Sequence, residues 1–236
     1  LKKDDELESR ISVPKKQQIR FAVTKPETNE FGLSEGSDET VSVCFGEKQL
    51  IAVDQLKIKG SHNLQNALAA LALGSAIGLP LESMLETLKE FKGLRHRTQF
   101  VAEINGVNWI NDSKATNIGA TIAALTGLPG KHVLIAGGES KGADFSELAE
   151  AVKDHCRAVI LMGNDAEKIR SVLPDDITVE MVTDMQAAVL AAKSLAMPGD
   201  NVLLAPACAS FDMFENFEHR GDMFIQAVET LSEVSS

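Results

Sequence analysis

The spacing of apolar residues changes character near residue 93. Before it, β-branched-rich runs at 18–24, 41–47 and 49–53 are separated by glycines and acidic residues, which predicts three short strands. Two helices follow. Leu64, Leu68 and Leu71 recur at helical spacing until Gly78, and Leu81, Met84, Leu85, Leu88 and Phe91 recur after Pro80, whose fixed φ suits a first helical turn. Past a connector at 92–95, runs at 98–103 and 107–110 flank Asn105-Gly106, a favoured hairpin turn pair. A helix is expected over 117–125. Strands at 132–136, 158–162, 178–181 and 201–205 then alternate with helices at 145–153, 166–173, 185–196 and 214–231, the last carried by Phe214, Phe217, Phe224, Val228 and Leu231. Such alternation predicts a mostly parallel sheet with helices on both faces. The chain therefore reads as two units: 94–236, a complete α/β domain, and 1–93, an incomplete piece of another.

Composition adds exclusions. Of 236 residues, 44% are apolar and 24% charged, enough for a packed core. A net charge of −11 argues against unspecific binding to nucleic acid or to an anionic membrane, although a local cluster of arginines and lysines can still take an anionic ligand. Cys44, Cys156 and Cys208 are odd in number and far apart, so neither a disulfide framework nor a zinc site is expected, and a reducing cytoplasm fits. No apolar run approaches the roughly 20 residues that span a bilayer. The charged start is no secretory signal. It opens on Leu1, not Met, from which a piece of a longer chain is expected.

Ligands in open α/β sheets bind beyond the carboxyl ends of strands, which selects three segments. Asn111-Asp112-Ser113-Lys114-Ala115-Thr116-Asn117 follows a strand. If extended, it points Asp112 and Lys114 the same way, toward ribose and phosphate, with Thr116 or Asn117 capping the next helix; a surface ion pair beside an N-cap explains it equally. Gly137-Gly138-Glu139-Ser140-Lys141-Gly142-Ala143-Asp144 offers Lys141 to an anion and a capping-box-like start in Asp144 and Glu147, or is a simple strand–helix turn. Pro206-Ala207-Cys208-Ala209-Ser210-Phe211-Asp212 allows close backbone approach, with the Ser210 hydroxyl and helix N–H groups suited to a carboxylate. Ser210 lacks a general base and a nucleophile elbow, so it is no hydrolase nucleophile. Cys208 reads as a small buried thiol. Upstream, His62, Asn63 and Asn66 share one helix face, fit either to read a purine edge or to cap the helix. Arg95-His96-Arg97 carries two guanidiniums, for a triphosphate or a solvated loop.

Taken together, these segments resemble the Mur ligase family, and within it the ligases that join D-glutamate to UDP-N-acetylmuramoyl-L-alanine. The resemblance rests on Gly93 to Arg97, Trp109 to Asn117, Gly137 to Phe145, Pro206 to Asp212 and Asn216 to Gly221, with Gly60 to Asn63 and Asn66-Ala67 upstream. Glu139 stands where the family usually has Asp, and Arg95 where Pro is frequent. The fold implied is a Rossmann-like C-terminal domain over 94–236, preceded over 1–93 by the end of the central ATP-binding α/β domain. The function implied is ATP-dependent amide ligation through an acyl phosphate, in peptidoglycan precursor synthesis. Implied for ATP are His62, Asn63, Asn66, His96, Arg97 and Asp112. Implied for D-glutamate are Thr116, Lys141, Ser210 and Phe217. Implied as catalytic are Lys114, Asp112 and Arg97, with Arg97 and Asp112 at ribose or phosphate and Lys114 bordering the phosphate region. The UDP-binding domain, the phosphate loop and the Mg2+ ligands are expected in a preceding part of the protein, so no metal ligand is assigned here and this chain alone is expected to be inactive. Two other readings remain: a non-catalytic nucleotide-binding module, and another Mur or folylpolyglutamate-type amino-acid ligase. Oligomeric state is left open.

Overall fold

Gly32 lies at the middle of a strand that the apolar pattern does not reveal. In the computed structural model, which describes residues 18–36, 39–58, 60–140 and 142–234, a first sheet runs β1 (Arg20–Phe21), β2 (Glu30–Glu35), β3 (Val41–Phe45), β4 (Lys48–Ala52), in that spatial order. β2 was not expected, and β1 is shorter than expected. A Cβ at position 32 would collide with the Thr24 carbonyl oxygen and the Pro26 ring, so the close approach of the preceding turn requires glycine there. Helices α1 (Ser61–Ala76) and α2 (Leu81–Glu90) complete this unit. Leu68 and Leu71 of α1 pack with Phe31, Val43 and Ile51 of the sheet, and Leu81, Met84, Leu85 and Leu88 border that core. Phe91, expected on the same face, is exposed. The chain divides into two compact units, Leu1–Lys92 and Gly93–Ser236.

The second unit is a mixed α/β domain. Its sheet has the order β5-β6-β10-β7-β8-β9, formed by β5 (Gln99–Ile104), β6 (Val107–Asn111), β7 (His132–Gly137), β8 (Cys156–Met162), β9 (Thr178–Met181) and β10 (Asn201–Leu204). β5 and β6 form the expected hairpin, with Asn105 and Gly106 both at positive φ (53° and 76°), as a two-residue turn of this pair demands. The other pairings are parallel. Helices are α3 (Ile118–Gly127), α4 (Ser146–His155), α5 (Ala166–Arg170), α6 (Met185–Leu195) and α7 (Phe217–Val234).

Strand alternation divides the core. Leu134, Val159, Leu161 and Leu203 pack with Ala124 and Leu125 of α3, Leu148 and Val152 of α4, and Ile169 of α5. Val133, Ile135, Ile160, Val202 and Leu204 pack with Val189 of α6 and with Phe224 and Val228 of α7. The fully buried β7 thus reads as a continuous apolar run. Two expected helix starts move. Phe145, buried in the core, occupies the N-cap of α4 without a side-chain cap bond, while Asp144 accepts from Ser146 N (3.0 Å). α7 begins at Phe217, and the expected first turn from Phe214 is irregular backbone. Among the described residues, no helix is long and apolar enough to cross a membrane.

Candidate functional site

β6, β10 and β7 lie side by side with Asn111 opposite Leu204 and Leu204 opposite Ile135, so β6 and β10 end level and β7 runs on to Gly137 at the same edge. β10, last in sequence, sits between strands formed much earlier. Such a reversal of strand order opens a crevice at the carboxyl edge. Backbone bonds stitch the departing loops together: Asp112 N donates to Leu204 O (2.8 Å), Ala207 N to Ala115 O (2.9 Å), Gly137 N to Pro206 O (2.9 Å), and Glu139 and Ala209 exchange both bonds at 3.0 Å. The three segments selected from the sequence therefore converge.

Within 111–117 the backbone turns, Ala115 N donating to Asp112 O (2.9 Å), so Asp112 and Lys114 do not share one side of an extended stretch. The buried Asp112 carboxylate accepts from Thr98 N (3.2 Å). Burial raises its pKa to about 6, against the Thr98 bond and the charge of Arg97, which itself is exposed. Lys114 is half-buried, its amide bonded to His96 O (3.0 Å) and its Nζ 3.8 Å from the centroid of the Phe217 ring, a cation–π contact. Lys114 and Phe217, implied for different ligands, thus touch each other. Thr116 is half-buried, and Asn117 alone caps α3, accepting from Ala120 N (2.9 Å).

His96 is buried, and its ring meets Phe217 edge-on. Asn111 accepts from Ser113 N through Oδ1 (3.1 Å) and donates through Nδ2 to Gly221 O (3.1 Å). So oriented, Nδ2 also faces His96 Nδ1 at 3.1 Å, which makes Nδ1 the acceptor and puts the neutral ring's proton on Nε2. Burial lowers the His96 pKa despite Asp222, 3.7 Å from Nε2. Asp222 is paired with Arg95 (2.7 Å), an exposed contact of little energetic weight.

Ser210 is buried beside the Glu139–Ala209 bridge. Its carbonyl accepts from Met213 N (3.1 Å) and Phe214 N (2.8 Å), and the helix whose N–H groups were expected beside it, from Phe214, starts only at Phe217. His62, Asn63 and Asn66 lie at the start of α1 in the first unit, the first two half-buried and Asn66 exposed. Burial lowers the His62 pKa. Gly60 is the N-cap there, so the N-cap residue is none of these three. Lys141 lies outside the described residues. Cys208 is buried, and burial pushes its thiol up to about 12, as an inert thiol requires.

Sequence reasoning missed Arg220 of α7. Buried to 1% exposure, it donates from Nε to Ser113 Oγ (3.0 Å), from Nη1 to Cys208 O (3.2 Å) and from Nη2 to Ser113 O (2.8 Å), while Ser113 Oγ donates to Phe217 O (2.8 Å). It ties the loops after β6 and β10 to α7. A signal was present: Arg220 interrupts the apolar spacing of Phe217, Phe224, Val228 and Leu231.

Residues 96–208 match the family model of the Mur ligase glutamate ligase domain. The UDP-N-acetylmuramoylalanine–D-glutamate ligase of Pseudomonas savastanoi pv. phaseolicola is 53% identical over 216 residues, 90% of this chain and 48% of that protein. The chain belongs to the Mur ligase family. The ligase of the same name from Nitrosococcus oceani is 49% identical over 97% of this chain and 51% of its own length. The chain spans about half the length of the curated relatives it matches. Among solved structures, UDP-N-acetylmuramate-alanine ligase of Thermotoga maritima shares the fold with a TM-score of 0.62 at 19% identity, covering 90% of this chain and 48% of that one. The folylpolyglutamate synthase of the same organism does so at 0.55 and 20%, covering 86% and 47%.

In this Mur ligase chain, no three His, Cys, Asp or Glu side chains among the described residues gather as a metal-binding set. Asp112 does yield a pH prediction. Its carboxyl holds a proton more tightly in the folded chain (about 6) than an ordinary aspartate does (3.8), so its charge opposes folding at neutral pH and the penalty fades as pH falls through about 6. Asp112→Asn is expected to raise the melting temperature at about pH 7 and to leave it near the parent value at about pH 4, where both side chains are neutral. Equal effects at both pH values, or a carboxyl carbon titrating near 4 by NMR, would contradict this.

Proposed function

We propose that this chain is the C-terminal half of an ATP-dependent ligase that joins D-glutamate to UDP-N-acetylmuramoyl-L-alanine in peptidoglycan precursor synthesis. The observation that carries the reading is the 53% identity to a ligase of that name over 90% of the chain. In this reading 1–93 is the end of the central ATP-binding domain and 94–236 a Rossmann-like C-terminal domain. ATP converts the substrate carboxylate to an acyl phosphate, the D-glutamate amine attacks the acyl carbon, and phosphate leaves. Mg2+, when bound, neutralises phosphate charge.

The chain's own groups orient the reactants. Asp112 takes ribose hydroxyls, and its firm seat on Thr98 N suits that role. His96, neutral and pinned by Asn111, offers its ring to the adenine. His62, Asn63 and Asn66 are carried over from the family resemblance as ATP-binding residues. Arg97 and Lys114 supply positive charge at the phosphates, and the Phe217 ring limits where the Lys114 ammonium can go. Thr116, Lys141, Ser210 and Phe217 hold D-glutamate.

The test is a crossed measurement in the full-length ligase. Asp112→Asn should raise KM for ATP about fivefold, with KM for D-glutamate nearly unchanged. Ser210→Ala should do the opposite to a similar extent, the size expected for one hydrogen bond of about 1 kcal/mol. The reverse pattern would show that these sites are wrongly assigned.

A further inference from the structure

Asp165 is the N-cap residue of α5, yet its carboxylate makes no cap bond to its own helix. An aspartate at an N-cap ordinarily accepts from a backbone N–H of the first turn. Here Oδ2 accepts instead from Ser140 N (2.6 Å) in the loop after β7, and Asp165 N donates to Gly138 O (3.0 Å). Asp165 therefore holds that loop from both ends of one residue. Its other oxygen is 2.6 Å from Lys168 Nζ. The carboxyl is 8% exposed, and the bonds to Lys168 and Ser140 hold its pKa down to about 2, so it stays ionised at any working pH. The residue before it completes a link to the third loop: Asn164 N donates to Asp212 Oδ2 (2.9 Å), two residues past Ser210. The Glu139–Ala209 bridge joins the same two loops directly.

The turn after β8 is thus bonded to the residue preceding Lys141 and to the segment following Ser210. We propose that Asp165 is a positioning residue for the amino-acid substrate, fixing the loop after β7 at a set distance from the loop after β10 so that both can grip the two ends of an α-amino dicarboxylate. The proposal rests on the assignment of Lys141 and Ser210 to D-glutamate given above. Neither oxygen of Asp165 needs to touch the substrate. Its Ser140 bond is charge-assisted, the stronger kind, and is made to a backbone N–H that no alternative side chain can replace.

Three variants of the full-length ligase separate this role from plain stability. Asp165→Ala removes both bonds of the carboxylate and should raise KM for D-glutamate about tenfold, with KM for ATP changed less than about twofold. Asp165→Asn keeps an oxygen that can accept from Ser140 N and should recover most of the loss. Lys168→Ala removes only the exposed partner and should behave as the parent. In the present chain, the Ser140 amide should exchange with deuterium faster in Asp165→Ala than in Asp165→Asn. If Asp165→Ala fails to fold, the Asp165→Asn and Lys168→Ala pair decides: the expected result is a small rise in KM for D-glutamate alone in the former and none in the latter. Unchanged D-glutamate KM in Asp165→Ala, or equal losses for ATP and D-glutamate, would overturn the proposal. Lys141→Ala and Ser210→Ala serve as controls: should neither affect D-glutamate, the substrate assignment falls, whereas the Ser140 exchange result stands or falls by itself.

Discussion

Replacing Arg220 by alanine is expected to destabilise this chain by about 2–4 kcal/mol, the range for stripping buried acceptors of their donor and leaving a cavity. The guanidinium is nearly inaccessible, and burial lowers its pKa only to about 10, so it is charged at neutral pH. It has a hydroxyl and two carbonyls as partners: Ser113 Oγ, Ser113 O and Cys208 O. Truncation leaves those carbonyls buried without this donor, each at about 1–3 kcal/mol, and opens a cavity under α7. Lysine should not rescue it. One ammonium cannot reproduce three donors spread over a planar fork. Urea denaturation of the parent, Arg220→Ala and Arg220→Lys chains measures this directly, and a loss below about 1 kcal/mol in the alanine variant would contradict it. A functional echo is expected as well. Ser113 lies between Asp112 and Lys114, and its hydroxyl donates to Phe217 O, so in the full-length ligase any folded Arg220 variant should weaken both ATP and D-glutamate use.

Gly138→Ala should be nearly as damaging, and its cause is backbone geometry. Gly138 has φ +125°, a region L residues rarely adopt, and a Cβ there would run into the Ala209 carbonyl oxygen and the Cys208 side chain. Neither obstacle is the free end of a flexible side chain. Strain and overlap together are expected to cost about 3 kcal/mol or more. Relief would require separating the Glu139–Ala209 bridge, and with it the junction of the loops after β7 and β10. The variant should therefore combine a lower melting temperature with a larger rise in KM for D-glutamate than for ATP. A melting temperature equal to the parent's would show that the loop yields easily.

Much of this architecture was legible before any coordinates. The hairpin at Asn105-Gly106, the alternation from β7 to β10 and the buried face of α1 follow from local rules: turn pairs that tolerate positive φ, and apolar periods of two or 3.6. The convergence of 111–117, 137–144 and 206–212 was also implied, because a parallel α/β sheet gathers its ligand-binding loops at one edge. What the sequence misread were places where neighbours in space overrule neighbours in sequence. β2 was lost because Gly32 answers to Thr24 and Pro26 and not to its own strand propensity. Asp112 and Lys114 were expected side by side, but a turn sends one to Thr98 N and the other to Phe217. Asp165, at the N-cap of α5, serves a loop 25 positions earlier. Arg220 stood in a motif without a role until two loops closed around it. The sequence by itself determined the elements, their order and the edge of the sheet where chemistry gathers, since those depend on short-range pattern. Only the tertiary structure decided which polar group meets which, because a buried donor or acceptor must find its partner wherever packing brings one, at any separation along the chain.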